Sequence, residues 1–476
     1  MPNGLTESTE VPASSNFLTS ALSPLAAARI NGVASANSRS FASAAFAELF
    51  LMSDEQDVAT IRFSKMMQTL KVLDLVTNYP GSVWSNSLTP DEQVESYFTG
   101  EYDFFMNSKK RSSGPRQIVL IGGGHSHVQF LRLWQESKIS NVDVTLISYP
   151  ALSPYSGMLP GFLAGWYRKE EMHFDLEQLC AQAGVKFACT EVERLDPFKK
   201  EVRTRDGGVY SYDVASMNIG VTPVLPNGGQ NHPGVTAIKP IAQLLCKWER
   251  LIQSSARRWL IVGGGGSGFE LGVILAMKKP EAEITLVHSG EDILPTHNRL
   301  VRQRARECLM NRGVRVLTGQ TLVTVEGHWA VTQAGERLAF DEMLVTTGAR
   351  AADWLRESGL PVDANGFVRV DCYLQVKGCP GLFAAGDCAH FEDQPLPKSG
   401  VYAVRQGPPL IHNIIAFVKD GRPSRRYHPQ RRTLALFTSG DKRALLSYGP
   451  LTWESGWLWR WKDHIDRRFM RSFGWR

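Results

Sequence analysis

Two stretches of this 476-residue chain carry the residues needed to hold a phosphate. Ile118-Val-Leu-Ile-Gly-Gly-Gly-His-Ser-His127 and Trp259-Leu-Ile-Val-Gly-Gly-Gly-Gly-Ser-Gly268 each pass from an apolar run into glycines and then resume as a helix-like sequence. Glycines allow the tight turn and let a pyrophosphate approach the backbone, where N–H groups and the positive end of the helix hold it. The candidates are Gly122, Gly124, His125 and His127 in the first turn and Gly263, Gly265 and Gly268 in the second. The second turn has the full glycine spacing, whereas in the first His127 stands where a side chain should crowd helix against strand. Two dinucleotide sites in one polypeptide imply electron traffic. His125 and His127 have HxH spacing, but a metal site needs three or four convergent ligands and no partners are evident, so no metal is expected.

Further along, an apolar strand ends in Gly386-Asp387, and Thr346-Thr-Gly348 follows another. Together with the two turns, these four ordered signals resemble the FAD- and NAD(P)-binding pyridine nucleotide oxidoreductase family. The narrower resemblance is to the branch containing type II NADH dehydrogenases and the flavoprotein module fused to selenide, water dikinase. It is carried by Gly122-Gly-Gly-His-Ser-His-Val128, Ser153-Pro-Tyr-Ser-Gly-Met-Leu-Pro-Gly161, Gly400-Val-Tyr-Ala-Val-Arg-Gln-Gly407 and Trp459-Arg-Trp-Lys-Asp-His-Ile-Asp-Arg-Arg-Phe-Met470. It runs from about Arg116 to the C-terminus; no kinase domain follows, so selenophosphate synthesis is not implied.

The resemblance implies FAD and NAD(P)H as cofactors, with hydride passing to the flavin and electrons continuing to a quinone-like acceptor. Asp387 would accept hydrogen bonds from the ribityl chain, Gly348 would close the nicotinamide fold, and Glu270 would help seat the nicotinamide. The alternative for Glu270 is a helix-dipole partner in the first turn after Gly268. Ser399 is a candidate N-cap for a helix beginning at Gly400 that aims its N-terminus at the flavin's pyrimidine ring. Gln406 falls where quinone reductases carry a glutamine near the acceptor, making Glu270 and Gln406 the catalytic candidates. His125 and His127 would contact the FAD phosphate.

The elements that must position these groups give an α/β fold class, with two nested Rossmann-like dinucleotide-binding domains and a C-terminal amphipathic helical region. The expected units are residues 1–115 as an N-terminal extension, 116–234 and 361–430 as the two parts of an FAD-binding domain, 235–360 as an inserted NAD(P)H-binding domain, and 431–476 as a C-terminal region. The strand Val142-Asp-Val-Thr-Leu-Ile147 is followed by Ser148, where an acid usually holds a ribose. Ile284-Thr-Leu-Val287 is followed by His288, where an NAD-selecting acid is expected; no arginine adjoins it, so NADH and NADPH stay open.

Seven cysteines form no CxxC or CxxxxC pair, which suits reduced buried thiols. Related disulfide reductases place a redox pair against the flavin in the region where this chain has Ser153–Gly161, so electrons cannot leave by that relay. Trp259 to Met277 reads as apolar, but four glycines and Glu270 argue for the nucleotide fingerprint, and no transmembrane helix is expected.

The formal net charge of +6 is concentrated at the end: residues 421–476 carry thirteen Lys/Arg against four Asp/Glu. There Trp457, Trp461, Ile465, Phe469 and Phe473 recur every four residues, with Arg460, Lys462, Arg467, Arg468 and Arg471 around them. Two readings follow, a peripheral membrane contact through Trp457–Arg476 or packing on the protein or on a second subunit as a homodimer. Nucleic acid is not expected as a partner.

The first forty-five residues, rich in Ser and Ala, admit an organelle transit peptide (chloroplast or mitochondrion) or an unstructured extension of a cytoplasmic, peripherally membrane-associated protein. Phe41 to Leu75 could form one or two helices, and Lys109-Lys-Arg-Ser-Ser-Gly-Pro115 reads as a linker. Two alternatives to quinone reduction remain at this stage: a small selenium, sulfur or protein acceptor, or a redox-sensing flavoprotein.

Overall fold

The structure is a computed structural model and describes residues 114–474. The transit-peptide reading, the helices between Phe41 and Leu75 and most of the linker lie outside the described residues. Two five-stranded parallel sheets organise the rest. The first contains β1 (Arg116–Ile121), β2 (Val142–Ile147), β3 (Lys186–Ala188) and β4 (Val214–Met217). The second contains β5 (Val235–Ala237), β6 (Arg258–Val262), β7 (Glu283–Val287), β8 (Arg315–Leu317) and β9 (Glu342–Val345). The chain then returns as β10 (Leu382–Ala384), which pairs in parallel with β4 and completes the first sheet.

The strand orders are β10-β4-β1-β2-β3 and β5-β9-β6-β7-β8, so the second sheet lies wholly within the sequence that interrupts the first. Ile118–Ile121 and Trp259–Val262 are buried along both faces, as parallel strands covered by helices must be. Each fold also carries a three-stranded antiparallel meander ahead of its β4 or β9 strand, at Val192–Ser211 and Leu322–Ala339.

The helices that matter for the site are α1 (His125–Ser137) after β1, α2 (Leu176–Ala183), α3 (Ile241–Gln253) after β5, α4 (Gly266–Lys278) after β6 and α5 (Arg299–Met310). Beyond β10 come α6 (Gly400–Asp420) and an antiparallel sheet of β11 (Ala435–Gly440), β12 (Arg443–Tyr448) and β13 (Leu451–Ser455). The chain ends in α7 (Gly456–Arg471). Gly407 lets α6 cross α1 closely, since a Cβ there would lie 2.6 Å from Gln129 Cβ.

The C-terminal segment touches both folds. Phe437 and Leu445 pack into the core of the nucleotide fold around α4, while Met470 and Phe473 enter the core built on the first sheet. The four-residue stripe on α7 does not face one way. A step of four residues advances about 400° on an α-helix, so five such residues drift through about 160°. Trp461 and Phe473 are each 5% exposed while Ile465 is 37% exposed. The buried face is instead Leu458, Trp461, Lys462, Asp466 and Met470. Among the described residues no helix is long and apolar enough to cross a membrane.

Candidate functional site

Both glycine turns form after the first strand of their sheets, with Gly122 at φ +88° and Gly263 at φ +114°, conformations that L side chains rarely adopt. Gly124 and Gly265 occupy the N-cap positions of α1 and α4 with no side-chain cap. At Gly268 an added Cβ would come 1.8 Å from Gly263 O, so the second fold enforces glycine there.

The first fold solves the same position differently. His127 is fully buried, its Nδ1 is 2.7 Å from Gly122 O and its Nε2 is 2.8 Å from Ser216 Oγ. Both ring nitrogens are engaged within the protein and burial lowers the pKa to about 4. His127 is therefore a strut between the turn and β4, which corrects its expected role as a phosphate contact.

Asn218, just past β4, was not singled out by sequence. Its Oδ1 accepts from the N–H groups of Ser126 (2.9 Å) and His127 (3.4 Å), and its Nδ2 donates to Ala385 O (2.7 Å). Gly123 N–H donates to Ser148 Oγ (3.0 Å) and Gly124 N–H to Asn218 O (3.1 Å). The N–H of His125 lies at the start of α1, in its first turn. The second fold repeats the Ser148 device: Gly264 N–H donates to His288 Nδ1 at 3.2 Å. A nitrogen that accepts carries no proton, so neutral His288 bears its proton on Nε2. That atom is shielded and has no hydrogen-bond partner among the described residues.

Gly386 (φ +72°) lies against Asn218, whose Nδ2 would be 2.4 Å from an added Cβ. Its N–H donates to Gln406 Oε1 at 2.6 Å. Gln406 is 3% exposed, facing inward from α6 onto this turn. Its side-chain oxygen thereby helps to position the Gly386-Asp387 turn. Ser399 occupies the N-cap position of α6 but its hydroxyl makes no capping bond, correcting that expectation. The result is a helix N-terminus at Gly400 not capped by its own serine. His125 Nε2 is buried with no hydrogen-bond partner among the described residues, and a Cβ on Gly400 would stand 4.0 Å from it. Burial lowers the His125 pKa to about 4, leaving the ring neutral. Gly348 (φ +65°) follows β9 and packs on Val224.

Lys398 donates to Ala389 O at 2.6 Å and its Nζ lies 3.8 Å from the centroid of the Phe367 ring.

Glu270 sits in the second turn of α4 rather than the first, because the helix begins at Gly266. Its Oε1 accepts from Thr438 N–H of β11 at 2.7 Å. Desolvation pushes its pKa up to about 7, opposed by the charge of Lys462 and by Thr438. Lys462, on the inward face of α7, donates to Asp466 Oδ2 (2.7 Å) and to Gly157 O (2.6 Å). Asp466 Oδ1 in turn accepts from the Tyr155 hydroxyl at 3.1 Å. Lys462 and Asp466 are 9% and 5% exposed. Desolvation disfavours the Lys462 ammonium, but Asp466 and Glu270 outweigh it and raise the pKa. The loop bearing Tyr155 and Gly157 is the one that has no cysteine pair. The Lys462–Asp466 pair was legible only as i,i+4 spacing, which an exposed helix face would show equally.

These features fit two dinucleotides. An added Cβ would collide with the protein at Gly122, Gly124, Gly263 and Gly268, the α1, α4 and α6 N-termini lack side-chain caps from their own N-cap residues, and His125 and His288 each present a shielded nitrogen with no hydrogen-bond partner among the described residues.

Residues 116–407 match the family model described as pyridine nucleotide-disulphide oxidoreductase. The chain is 31% identical over 346 residues to demethylphylloquinone reductase NdbB of Synechocystis, covering 68% of this chain and 85% of that one. It is 23% identical to the type II NADH:quinone oxidoreductase of Staphylococcus aureus, covering 75% of this chain and 96% of that one. Among solved structures, sulfide:quinone oxidoreductase from Aquifex aeolicus shares the fold with a TM-score of 0.65 at 16% identity, over 75% of this chain and 91% of that one. This chain belongs to the pyridine nucleotide-disulphide oxidoreductase family and is an FAD-dependent NAD(P)H oxidoreductase of the type II NADH dehydrogenase kind.

Proposed function

We propose that this chain is an NAD(P)H:quinone oxidoreductase that works without a redox disulfide. Residues 116–234 and 361–430 form the FAD module, 235–360 the NAD(P)H module and 431–476 the region that closes over both. Gly122, Gly124, His125, Gly386, Asp387 and Gly400 serve FAD; Gly263, Gly265, Gly268, His288 and Gly348 serve the nicotinamide nucleotide. Bound FAD supplies the two-electron chemistry that takes hydride from NAD(P)H and passes electrons on.

One observation carries the choice of a quinone. Reduction of a quinone to a quinol takes up two electrons and two protons, of which hydride provides both electrons and one proton. The second proton needs a donor that titrates near neutral pH. Glu270, at a pKa of about 7 and electrostatically coupled to Lys462 at the Tyr155–Gly157 loop, meets that need. A small sulfur or selenium acceptor handled by thiol exchange would call for a cysteine pair, and that loop has none. The relatives named for quinones support the same reading. The outward face of α7, with Arg460, Ile465, Arg468 and Arg471 exposed, is where peripheral contact with a lipid surface would be made.

The test is steady-state reduction of a short-chain quinone across pH 5.5–9 by the wild type and by Glu270→Gln. The wild-type kcat should break near pH 7 and the variant should lose both that break and at least tenfold in kcat. An identical profile in the variant would remove Glu270 from the proton path.

A further inference from the structure

Lys239 belongs by sequence to the nucleotide fold, between β5 and α3, yet its ammonium reaches the other fold. Its Nζ lies 2.8 Å from Asp387 Oδ2, with the lysine side chain 36% and the aspartate 14% exposed. An ion pair this open to water adds little to folding, and it immobilises a four-carbon side chain. Its location is more informative than its strength. Asp387 follows the Gly386 turn that Gln406 and Asn218 hold in place. Both charges act on His125, whose buried Nε2 has no hydrogen-bond partner among the described residues and lies near the N-terminus of α6. A cation, a carboxylate and an unpartnered imidazole nitrogen, brought from three separate segments, thus converge on the space between the first glycine turn and α6.

We propose that Lys239 is a positioning residue for the flavin, supplied by the nucleotide fold. It holds the Asp387 carboxylate toward the ribityl hydroxyls, and its remaining N–H donors place positive charge where reduction of the flavin adds negative charge. An ammonium has three donors and Asp387 accepts one, so two stay available to ligand oxygens. The inference rests on the assignment of the Gly386-Asp387 turn to FAD, not on the identity of the electron acceptor.

The experiment uses the full chain as wild type, Lys239→Met, which keeps the apolar stem, and Lys239→Arg, which keeps the charge. FAD affinity is read by fluorescence titration of the apoprotein, and the flavin midpoint potential by dye-coupled anaerobic titration. Lys239→Met should bind FAD roughly tenfold more weakly. Its potential should fall by about 30 mV, the equivalent of a tenfold change for a two-electron couple. Lys239→Arg should recover both values. Lys239→Gln, checked for folding by circular dichroism, gives the same readout if the methionine variant fails to fold. Wild-type affinity or wild-type potential in a folded neutral variant overturns the proposal and leaves Lys239 as a surface ion pair. Failure of the wild type itself to bind FAD would instead overturn the site assignment.

Discussion

His127 and Gly268 occupy the same place in the two turns and answer the same packing problem in opposite ways. Gly268 removes the side chain because Gly263 O is too near; His127 fills the space and bonds both Gly122 O and Ser216. The glycines were legible because a turn with positive φ is a local demand. The roles of His127 and Gln406 were not, because Ser216 and Gly386 come from distant segments that only the fold brings close.

His288 was legible as a missing acid, and the structure adds its tautomer. Placing a carboxylate there by His288→Glu should weaken NADPH binding at least tenfold relative to NADH, measured as dissociation constants, because the 2′-phosphate would meet negative charge. An unchanged ratio would show that His288 does not face the ribose.

Glu270 also has a stability consequence. Its folded pKa of about 7 exceeds its ordinary 4.5, so between those values the unfolded chain binds fewer protons than the folded one and stability falls as pH rises, levelling off above pH 7. Glu270→Gln removes that fall. Its stability relative to wild type should improve between pH 5 and pH 8 by on the order of 2 kcal/mol, read from denaturant unfolding at both pH values. A constant difference would place the Glu270 carboxyl in water.

At the scale of elements, α7 shows how a sequence pattern can point to the correct helix and the wrong face. Recurrence every four residues was visible, but the helical drift of about 40° per step turns Ile465 outward while bringing Lys462 and Asp466 in. The three strands before α7 were missed altogether. Their signal was present in Arg443-Ala-Leu-Leu-Ser-Tyr448 and Leu451-Thr-Trp-Glu-Ser455, separated by a Gly-Pro turn at Gly449-Pro450. The parallel sheets were easier to read, since their strands are short apolar runs ending in glycine.

Because the inward face of α7 is packed, deleting residues 457–476 should expose the cores it covers and cause aggregation on expression. Trp461→Ala alone should cost about 3–5 kcal/mol in unfolding free energy, the range for truncating a large buried aromatic. Full solubility and an unchanged Tm in both variants would mean that the helix does not pack as described.

For the whole molecule, nesting brings the C-terminal ends of β1 and β10 and the start of α6 to one place, and a second five-stranded parallel fold is inserted between β4 and β10. The interruption was readable from the order of the glycine signals alone. What joins the folds was not: Lys239 crosses from one to Asp387 of the other, and β11 to α7 bind both, with Glu270 meeting Thr438 and Lys462 meeting Gly157. Such long-range polar contacts leave no periodic trace in a sequence. They tie the two folds and the C-terminal region into one unit.

That account is tested most directly by anaerobic stopped-flow absorbance of the FAD-loaded protein, mixed first with NADH or NADPH and then with a short-chain quinone. It predicts rapid bleaching of the flavin by at least one nucleotide and rapid recovery of the oxidised spectrum on adding the quinone. Bleaching that persists in the presence of quinone would contradict it and leave the flavin as a sensor or a donor to another acceptor.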